Sequence, residues 1–231
     1  SGCGVVLVLG GVCIGSRNIF QNGEGVNVNR LGLRWYDVNV TGMEMHAGPT
    51  PMSVRQDALF ASTHLMQEVI HIARDHQPHG RGTVGVVQVH PGSRNVIPGK
   101  VHFTADLRHE DAATLARMDQ RWRQACAEAG ERFGVKVELI DVQHFPPTPF
   151  AAPLVQHIRE QAERAGYSHM DIVTGAGHDA VYIAEVAPTA MIFVPCKDGI
   201  SHNEIEDAKP EHLEAGCNVL LHAMLERAVA V

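Results

Sequence analysis

The order of strands and helices between residues 32 and 143 constrains the fold more than any other feature of the sequence. Apolar residues at helical spacing predict one helix after Ser53, its expected N-cap, and a second from Asp111 to about Arg132. Alternating apolar residues predict strands around Trp35–Val40, over Thr83–His90, over Val101–Arg108 and from Val135 onward. This order is that of a split β-α-β unit, which folds as a four-stranded antiparallel sheet with two helices on one face. Because its other face or an edge needs cover, we expect a homodimer contact there.

The sequence pattern of the remaining chain also predicts an α/β structure. Patterns after the proline-rich linker at residues 145–149 predict a helix over 151–165, strands at Tyr167–Thr174 and Ala190–Val194, and a last helix from Pro210 to about Val229. Near the start, Val5–Leu9 is a candidate buried strand, and residues 1–30 show no clear helix. We therefore expect three segments, 1–31, 32–144 and 145–231, of which the first and last are too short to close a doubly wound sheet without further polypeptide.

The amino-acid composition indicates which partners and which cellular compartment to expect. The chain has 231 residues, 45% of them hydrophobic, a net charge of −7 and no cluster of Lys and Arg, which argues against nucleic acid or a membrane as a partner. The five scattered cysteines predict reduced thiols in a cytoplasmic protein, with Cys126 and Cys217 as small core residues. The apolar first residues lack a basic segment, so we do not expect a signal peptide.

Two loops next to the apolar strand carry histidines. Gly175–Ala180 contains His178 and Gly199–Glu204 contains His202, so both histidines are expected at the rim of one sheet. His202 stands among carboxylates, and a neutral imidazole in such surroundings suits a divalent metal. The alternative is a polar loop whose histidine caps the next helix.

Three further polar residues stand at loops or strand ends. Arg108 ends the third strand and can hold a carboxylate with two hydrogen bonds, while Asn95 lies in a turn and can add another. His46 precedes the first helix and can donate a proton to a developing oxyanion. Together they suit an anionic substrate with a carbonyl under attack. Taken singly, each has an ordinary alternative, namely a surface ion pair for Arg108, a turn residue for Asn95 and a loop polar group for His46.

The segment that begins at His46 resembles a known signature. It reads His-Ala-Gly-Pro-Thr-Pro-Met-Ser-Val-Arg-Gln-Asp-Ala and is similar to the His-Ala-Gly-x-Thr-Pro-Met-x-x-Arg-x-Asp-Ala signature of the amidase, hydantoinase/carbamoylase family. That family comprises N-carbamoyl-L-amino-acid hydrolases, β-ureidopropionases and allantoate amidohydrolases within the dinuclear-metal peptidase and aminoacylase superfamily. Further motifs follow in the family's order, at Thr83-Val-Gly, Asn95-Val-Ile-Pro-Gly99, Asp106-Leu-Arg108, Gly175-Ala-Gly-His-Asp-Ala180 and Ser201-His-Asn203.

The resemblance implies a hydrolase of the C–N bond in N-carbamoyl or other ureido acids that uses two divalent metal ions, whether zinc, manganese, cobalt or nickel. It implies the C-terminal part of a metallopeptidase-like catalytic domain, with residues 32–144 inserted as an α+β lid that carries the dimer contact. Some lid residues of relatives reach the partner subunit's active site. The implied site residues are His46 at the scissile carbonyl, Asn95 and Arg108 on the substrate carboxylate, Gly175, Ala176 and His178 along the pocket, and His202 on the metal.

One departure from the family pattern is plain. Relatives carry a long N-terminal segment that supplies four of the five metal ligands and a Glu general base, but residues 1–31 contain no His, no Asp and a single glutamate, Glu24. Three explanations stay open, namely a fragment, a truncated or aberrant gene product, and a natural remnant that keeps the lid. The alternative function is therefore a catalytically inactive lid or dimerisation fragment.

Overall fold

The computed structural model describes residues 6–11, 24–200 and 203–229 of the chain. Within these ranges the strands are β1 Val6–Gly11, β2 Glu24–Arg30, β3 Gly32–Thr41, β4 Met45–His46, β5 Arg81–Thr83, β6 Val87–His90, β7 Val96–Ile97, β8 Lys100–His109, β9 Lys136–Phe145, β10 Thr148–Pro149, β11 His169–Thr174 and β12 Thr189–Val194. The helices are α1 Ala58–Asp75, α2 Ala112–Phe133, α3 Ala152–Arg164, α4 Ala180–Ala184 and α5 Pro210–Val229, with 3₁₀ turns at Met52–Val54 and Lys197–Gly199.

The chain is a mixed α/β protein with two compact units. The central unit is Gly32–Pro147, and the terminal unit combines Ser1–Leu31 with Thr148–Val231. Each unit has its own hydrophobic core. Each core therefore stabilises its own unit, since the burial of one large apolar side chain contributes about 1.5–3 kcal/mol to the free energy of folding.

The sheet of the central unit has five strands where the sequence predicted four. Their order is β5-β8-β3-β9 with β6 also paired to β8, and all pairs are antiparallel. The predicted second strand, Thr83–His90, is broken in the middle. There the Val86 N–H donates to the Thr104 side-chain oxygen (3.1 Å) and the Thr104 N–H donates to the Val86 carbonyl (3.1 Å). A side-chain hydroxyl thus replaces one rung of the ladder, and the strand divides into β5 and β6.

The two long helices of the central unit begin at aspartates. Asp57 caps α1, because its carboxylate accepts from the N–H groups of Leu59 (2.9 Å) and Phe60 (3.0 Å). The prediction of Ser53 as this cap was wrong, since that residue lies in the preceding 3₁₀ turn, which has no side-chain cap. The predicted cap of α2 is confirmed, with the Asp111 carboxylate 2.7 Å from the Thr114 nitrogen.

Both helices cover the same face of the sheet. The side chains with no exposed surface include Val38, Leu65, Phe103, Leu107 and Trp122, which come from two strands and both helices. The opposite face of the sheet is open, and it carries exposed apolar side chains at Trp35, Ile140 and Val142. The helix-covered face thus holds the core, while the open face is available for contacts.

The sheet of the terminal unit is mixed. Its order is β1-β12-β2-β10, with β11 beside β2; β1 and β12 run parallel, and β2 runs antiparallel to β12. The predicted apolar strand is confirmed as β12, which is buried at every position. Sequence analysis missed β2, which includes Asn27. The structure buries this amide fully, and its oxygen accepts from the Thr174 N–H at 3.3 Å.

One expectation for the cysteines is corrected. Cys126 is buried in the core of the central unit, as predicted, but Cys217 is exposed on α5. The apolar neighbours of Cys217 in sequence do not form a single inward face, because Leu213, Leu221 and Leu225 of the same helix are about half exposed. Among the described helices, none has the length and hydropathy needed to cross a membrane.

Candidate functional site

The loop that follows His46 is held by a single guanidinium. Arg55 donates to the Ala47 carbonyl from Nη2 (2.7 Å) and to the Thr50 carbonyl from both Nε (3.1 Å) and Nη2 (2.9 Å). Thr50 in turn donates its hydroxyl to the His46 carbonyl at 2.7 Å. The loop therefore has a defined shape, although its two prolines and its glycine allow no regular hydrogen-bond ladder.

The His46 imidazole is fixed in one tautomer. The backbone N–H of Gly48 donates to His46 Nδ1 at 3.1 Å, so Nδ1 is the acceptor and the proton of the neutral ring lies on Nε2. The side chain is exposed. His46 thus presents an N–H donor to anything that binds beside the loop, which is the chemistry expected of a group that stabilises a developing oxyanion.

Asn95 lies in the turn just before β7, the strand that pairs with the His46 strand. β4 and β7 form a two-stranded antiparallel ribbon in which His46 is opposite Val96, and the Ala47 N–H donates to the Asn95 carbonyl at 2.8 Å. The Asn95 side-chain oxygen accepts from the Ser93 hydroxyl (2.8 Å). Within the part of the chain that the structure describes, no group accepts from the Asn95 amide nitrogen. The structure therefore brings two of the predicted residues together.

Arg108 is paired with a carboxylate on its own strand. Its Nε lies 3.0 Å from both oxygens of Asp106, and its Nη2 lies 2.6 Å from Asp106 Oδ2. Residues two apart on a strand share a face, so the Asp-Leu-Arg order produces this pair. Both side chains are 21% exposed. The ion pair considered from the sequence is present, and it orients one edge of the guanidinium.

The sheet register separates Arg108 from the other two residues of the central unit. Lys100 begins β8 beside the β4–β7 ribbon, and Arg108 is eight residues further along the same strand. At about 3.4 Å per residue, these eight steps span roughly 27 Å. His46 and Asn95 thus lie at one end of the β3–β8 ladder and Arg108 at the other, so one chain does not gather all three around a single carboxylate.

The remaining predicted residues belong to the terminal unit. Gly175, Ala176 and His178 follow the end of β11, and the Ala176 N–H donates to the Thr174 side-chain oxygen at 3.2 Å. The His178 Nδ1 accepts from the Ala180 N–H at 3.1 Å. His178 therefore has the same neutral tautomer as His46, with its proton on Nε2.

The predicted metal ligand, His202, lies outside the described residues. The prediction that it stands at the rim of the sheet therefore concerns a residue that is not described. Among the described residues, no group of three or more His, Cys, Asp or Glu side chains is arranged to hold a metal ion. The described side chains therefore do not form a dinuclear centre by themselves.

Sequence reasoning did not assign roles to Arg55 and Asp106. Arg55 fixes the His46 loop, and Asp106 orients Arg108. Both stand inside the motifs that carried the resemblance, and this was the signal that could have identified them. The alternation of the strand was a second signal for Asp106, whereas the Arg55 contacts depend on a loop conformation that no periodicity predicts.

Comparison with known proteins identifies the family. The sequence model of Peptidase family M20/M25/M40 matches residues 10–226. The chain belongs to this family. It is 45% identical over 207 residues to the N-carbamoyl-L-amino-acid amidohydrolase of Rhizobium meliloti, a match that covers 90% of this chain and 50% of that protein. It is 33% identical over 202 residues to the allantoate amidohydrolase of Escherichia coli K12, which covers 87% of this chain and 49% of that protein.

A solved structure of a similar protein shows the same fold. A hydantoinase/carbamoylase family amidase from Burkholderia multivorans superposes with a TM-score of 0.90 at 51% identity, covering 97% of this chain and 55% of that one. The resemblance to the carbamoylases is thereby confirmed. The chain spans about half the length of the curated relatives it matches. Members of the M20 family generally depend on two metal ions.

Proposed function

We propose that this chain is the lid and C-terminal half of a metal-dependent hydrolase that cleaves the C–N bond of N-carbamoyl amino acids or related ureido acids. The observation that carries the proposal is the His46 tautomer. When water adds to the carbamoyl carbon, negative charge develops on the carbonyl oxygen, and a fixed Nε2–H donor stabilises it. The C–N bond to the amino acid then breaks, the amino nitrogen takes up a proton as the amino acid leaves, and the remaining carbamic acid decomposes to ammonia and carbon dioxide. The names of the relatives support a substrate of this class.

We propose substrate-binding residues for each of the two units separately. In the central unit, Asn95 and Arg108 bind the substrate carboxylate, the first through its amide N–H and the second through its charge. In the terminal unit, Gly175, Ala176 and His178 line the pocket, where His178 offers a second Nε2–H donor. These contacts need an anionic substrate with hydrogen-bond acceptors next to the charge, which describes a ureido acid.

We propose His202 as a ligand of one of two divalent metal ions. The described residues do not supply the other ligands, so these must come from polypeptide outside the described part of the chain. The identity of the ion, zinc, manganese, cobalt or nickel, depends on that complete ligand set.

We further propose that the active protein is a homodimer in which each site draws on both chains. The separation of roughly 27 Å along β8 supports this, because Asn95 and Arg108 can hold one carboxylate only if they come from different chains. The surroundings of His46 also support it. Met43, Met52 and Val54 are more than half exposed near this loop, and exposed apolar side chains of this kind are typical of an interface. The central unit would then be the lid and dimerisation domain.

A catalytically inactive lid or dimerisation fragment is the second candidate. It is favoured by the lack of a metal-binding group among the described residues. A hydrolysis assay with N-carbamoyl amino acids separates the two candidates. We expect no turnover by this chain alone, and turnover with about two metals per chain when it is combined with the part of the Rhizobium meliloti relative that this chain does not match.

The His46→Ala variant is the control in the same assay. It should bind the same amount of metal and lose most of the turnover, by about 100-fold or more, because one oxyanion donor is missing. A combined protein that binds metal and remains inactive would favour the fragment.

A further inference from the structure

A cavity of about 260 Å³ lies on the open face of the central sheet, away from the two long helices. Register explains its lining. Trp35 is opposite Asp106 on the neighbouring strand, Asp37 is opposite Thr104, and residues directly opposite share a face. Gly85 and Val142 complete two sides of the cavity.

The cavity carries one uncompensated negative charge. The charge of Asp106 is balanced by Arg108. Asp37 is half-buried, and within the described ranges its carboxylate has neither a hydrogen-bond nor an ion-pair partner. The described residues that line the cavity include no Lys, Arg or His. A half-buried carboxylate without a partner favours a cation beside it.

The rest of the lining suits a small hydrocarbon body. Trp35 is 40% exposed and forms one wall, and Val142 forms another. An indole attracts a cation as well as apolar groups. Since a water molecule occupies roughly 30 Å³ of liquid, the cavity volume of about 260 Å³ corresponds to about nine waters, or a ligand of fewer than about ten heavy atoms.

We propose that this cavity binds a compact organic monocation, namely a primary ammonium group on a short hydrocarbon chain. The ammonium group pairs with the Asp37 carboxylate, and the hydrocarbon lies against Trp35 and Val142. The site is distant from the proposed oxyanion donor at His46, but it adjoins the proposed carboxylate-binding residue Arg108, because Asp106 lines the cavity and pairs with Arg108. Binding of the ammonium group can be measured without hydrolase activity.

Titration of the unmodified chain with n-butylammonium tests the proposal, and n-butanol is the uncharged ligand of matched shape. The chain has two tryptophans. Trp122 is fully buried in the core, so a ligand-induced change in fluorescence reports on Trp35. We expect a saturable change with n-butylammonium and at least about tenfold weaker binding of n-butanol. No saturation by n-butylammonium, or equal binding of the two ligands, would overturn the proposal.

Variants that lose one negative charge provide a second test, in which calorimetry measures their affinity for n-butylammonium. Asp37→Asn should weaken n-butylammonium binding by about tenfold, because it removes a charge-assisted hydrogen bond. Glu214→Gln removes the same charge from an exposed position on α5 and should leave the affinity unchanged. Equal weakening in both variants would show that only the net charge of the chain matters, and would contradict a site at Asp37.

Discussion

Arg55 and Thr50 are joined by two hydrogen bonds, since the guanidinium donates to the Thr50 carbonyl from both Nε (3.1 Å) and Nη2 (2.9 Å). Nη2 also reaches the Ala47 carbonyl. The loop that positions His46 is thus closed by one side chain from its own far end. This contact gives the arginine of the signature a structural role.

Replacement of Arg55 by Ala should open this loop. Three hydrogen bonds from a charged group are lost and two carbonyls lose their donors, so we expect a loss of about 2 kcal/mol in the free energy of unfolding. Urea denaturation measures this loss, and proteolysis should cleave the folded variant faster between residues 47 and 55. Arg94→Ala removes an exposed arginine from a nearby turn and should change stability by less than about 0.5 kcal/mol. Equal effects of the two substitutions would show that the loop does not need Arg55.

The start of α1 can be tested by its cap. Asp57→Ala removes the acceptor for two helix N–H groups and should lower stability by about 1 kcal/mol. Asp57→Asn keeps an acceptor and should recover most of that loss. Ser53→Ala should be nearly neutral, because Ser53 makes no cap. A larger loss for Ser53→Ala than for Asp57→Ala would move the helix start back to the position that the sequence suggested.

Stability should depend on pH through His109. Burial lowers the pKa of this imidazole. The Asp111 N–H donates to its Nδ1 and thereby defines its neutral tautomer. The unfolded chain therefore binds more protons than the folded chain just below the ordinary pKa of about 6.5. The contribution of His109 to stability is fully present above that pH, and it is lost as pH falls toward the folded pKa.

Urea midpoints between about pH 5 and pH 7.5 measure this dependence. His109→Gln should flatten the curve without removing it, because burial also lowers the pKa of His144. A curve that is unchanged in the variant would exclude His109 as a source of the pH dependence.

The cysteines should differ in reactivity. Burial raises the pKa of Cys126 to about 12, whereas Cys217 is exposed on α5. Because the thiolate is the reactive form, iodoacetamide at pH 8 should label Cys217 in the folded protein and leave Cys126 unlabelled until urea is added. Peptide mass spectrometry reads both sites in one experiment. Fast labelling of native Cys126 would mean that the core of the central unit opens readily.

In a catalytically complete protein, substitutions at Arg108 and His202 should have opposite effects on KM and on metal content. Arg108→Ala should raise KM by at least about tenfold and keep the metal, because it removes a charged partner of the substrate carboxylate. His202→Ala should lose metal, as measured by atomic emission. Asp106→Asn should raise KM less than Arg108→Ala does, since it disturbs only the orientation of the guanidinium. Loss of metal from Arg108→Ala with unchanged KM would refute its carboxylate role.

The sequence identified the elements that repeat a simple pattern. The start of α2 at Asp111 and its end near Arg132 were both predicted, because helix ends are set locally, here by a capping carboxylate and by Gly134, which has a φ of 61°. The apolar strand β12 was predicted because all of its positions are buried. One prediction failed over a local choice, since Asp57, and not Ser53, caps α1. Another failed because a contact from elsewhere in the chain decided the outcome: β2 contains a buried asparagine, Asn27, whose side-chain oxygen accepts from the distant Thr174 N–H.

The sequence by itself determined the family of this protein and its candidate residues, because short motifs can be recognised from the order of the amino acids alone. Only the tertiary structure decided which of these residues meet. It places His46 beside Asn95 and holds Arg108 at the far end of the same ladder. The physical reason is that strand register fixes distances along a sheet, and register depends on pairing between segments that are far apart in the chain.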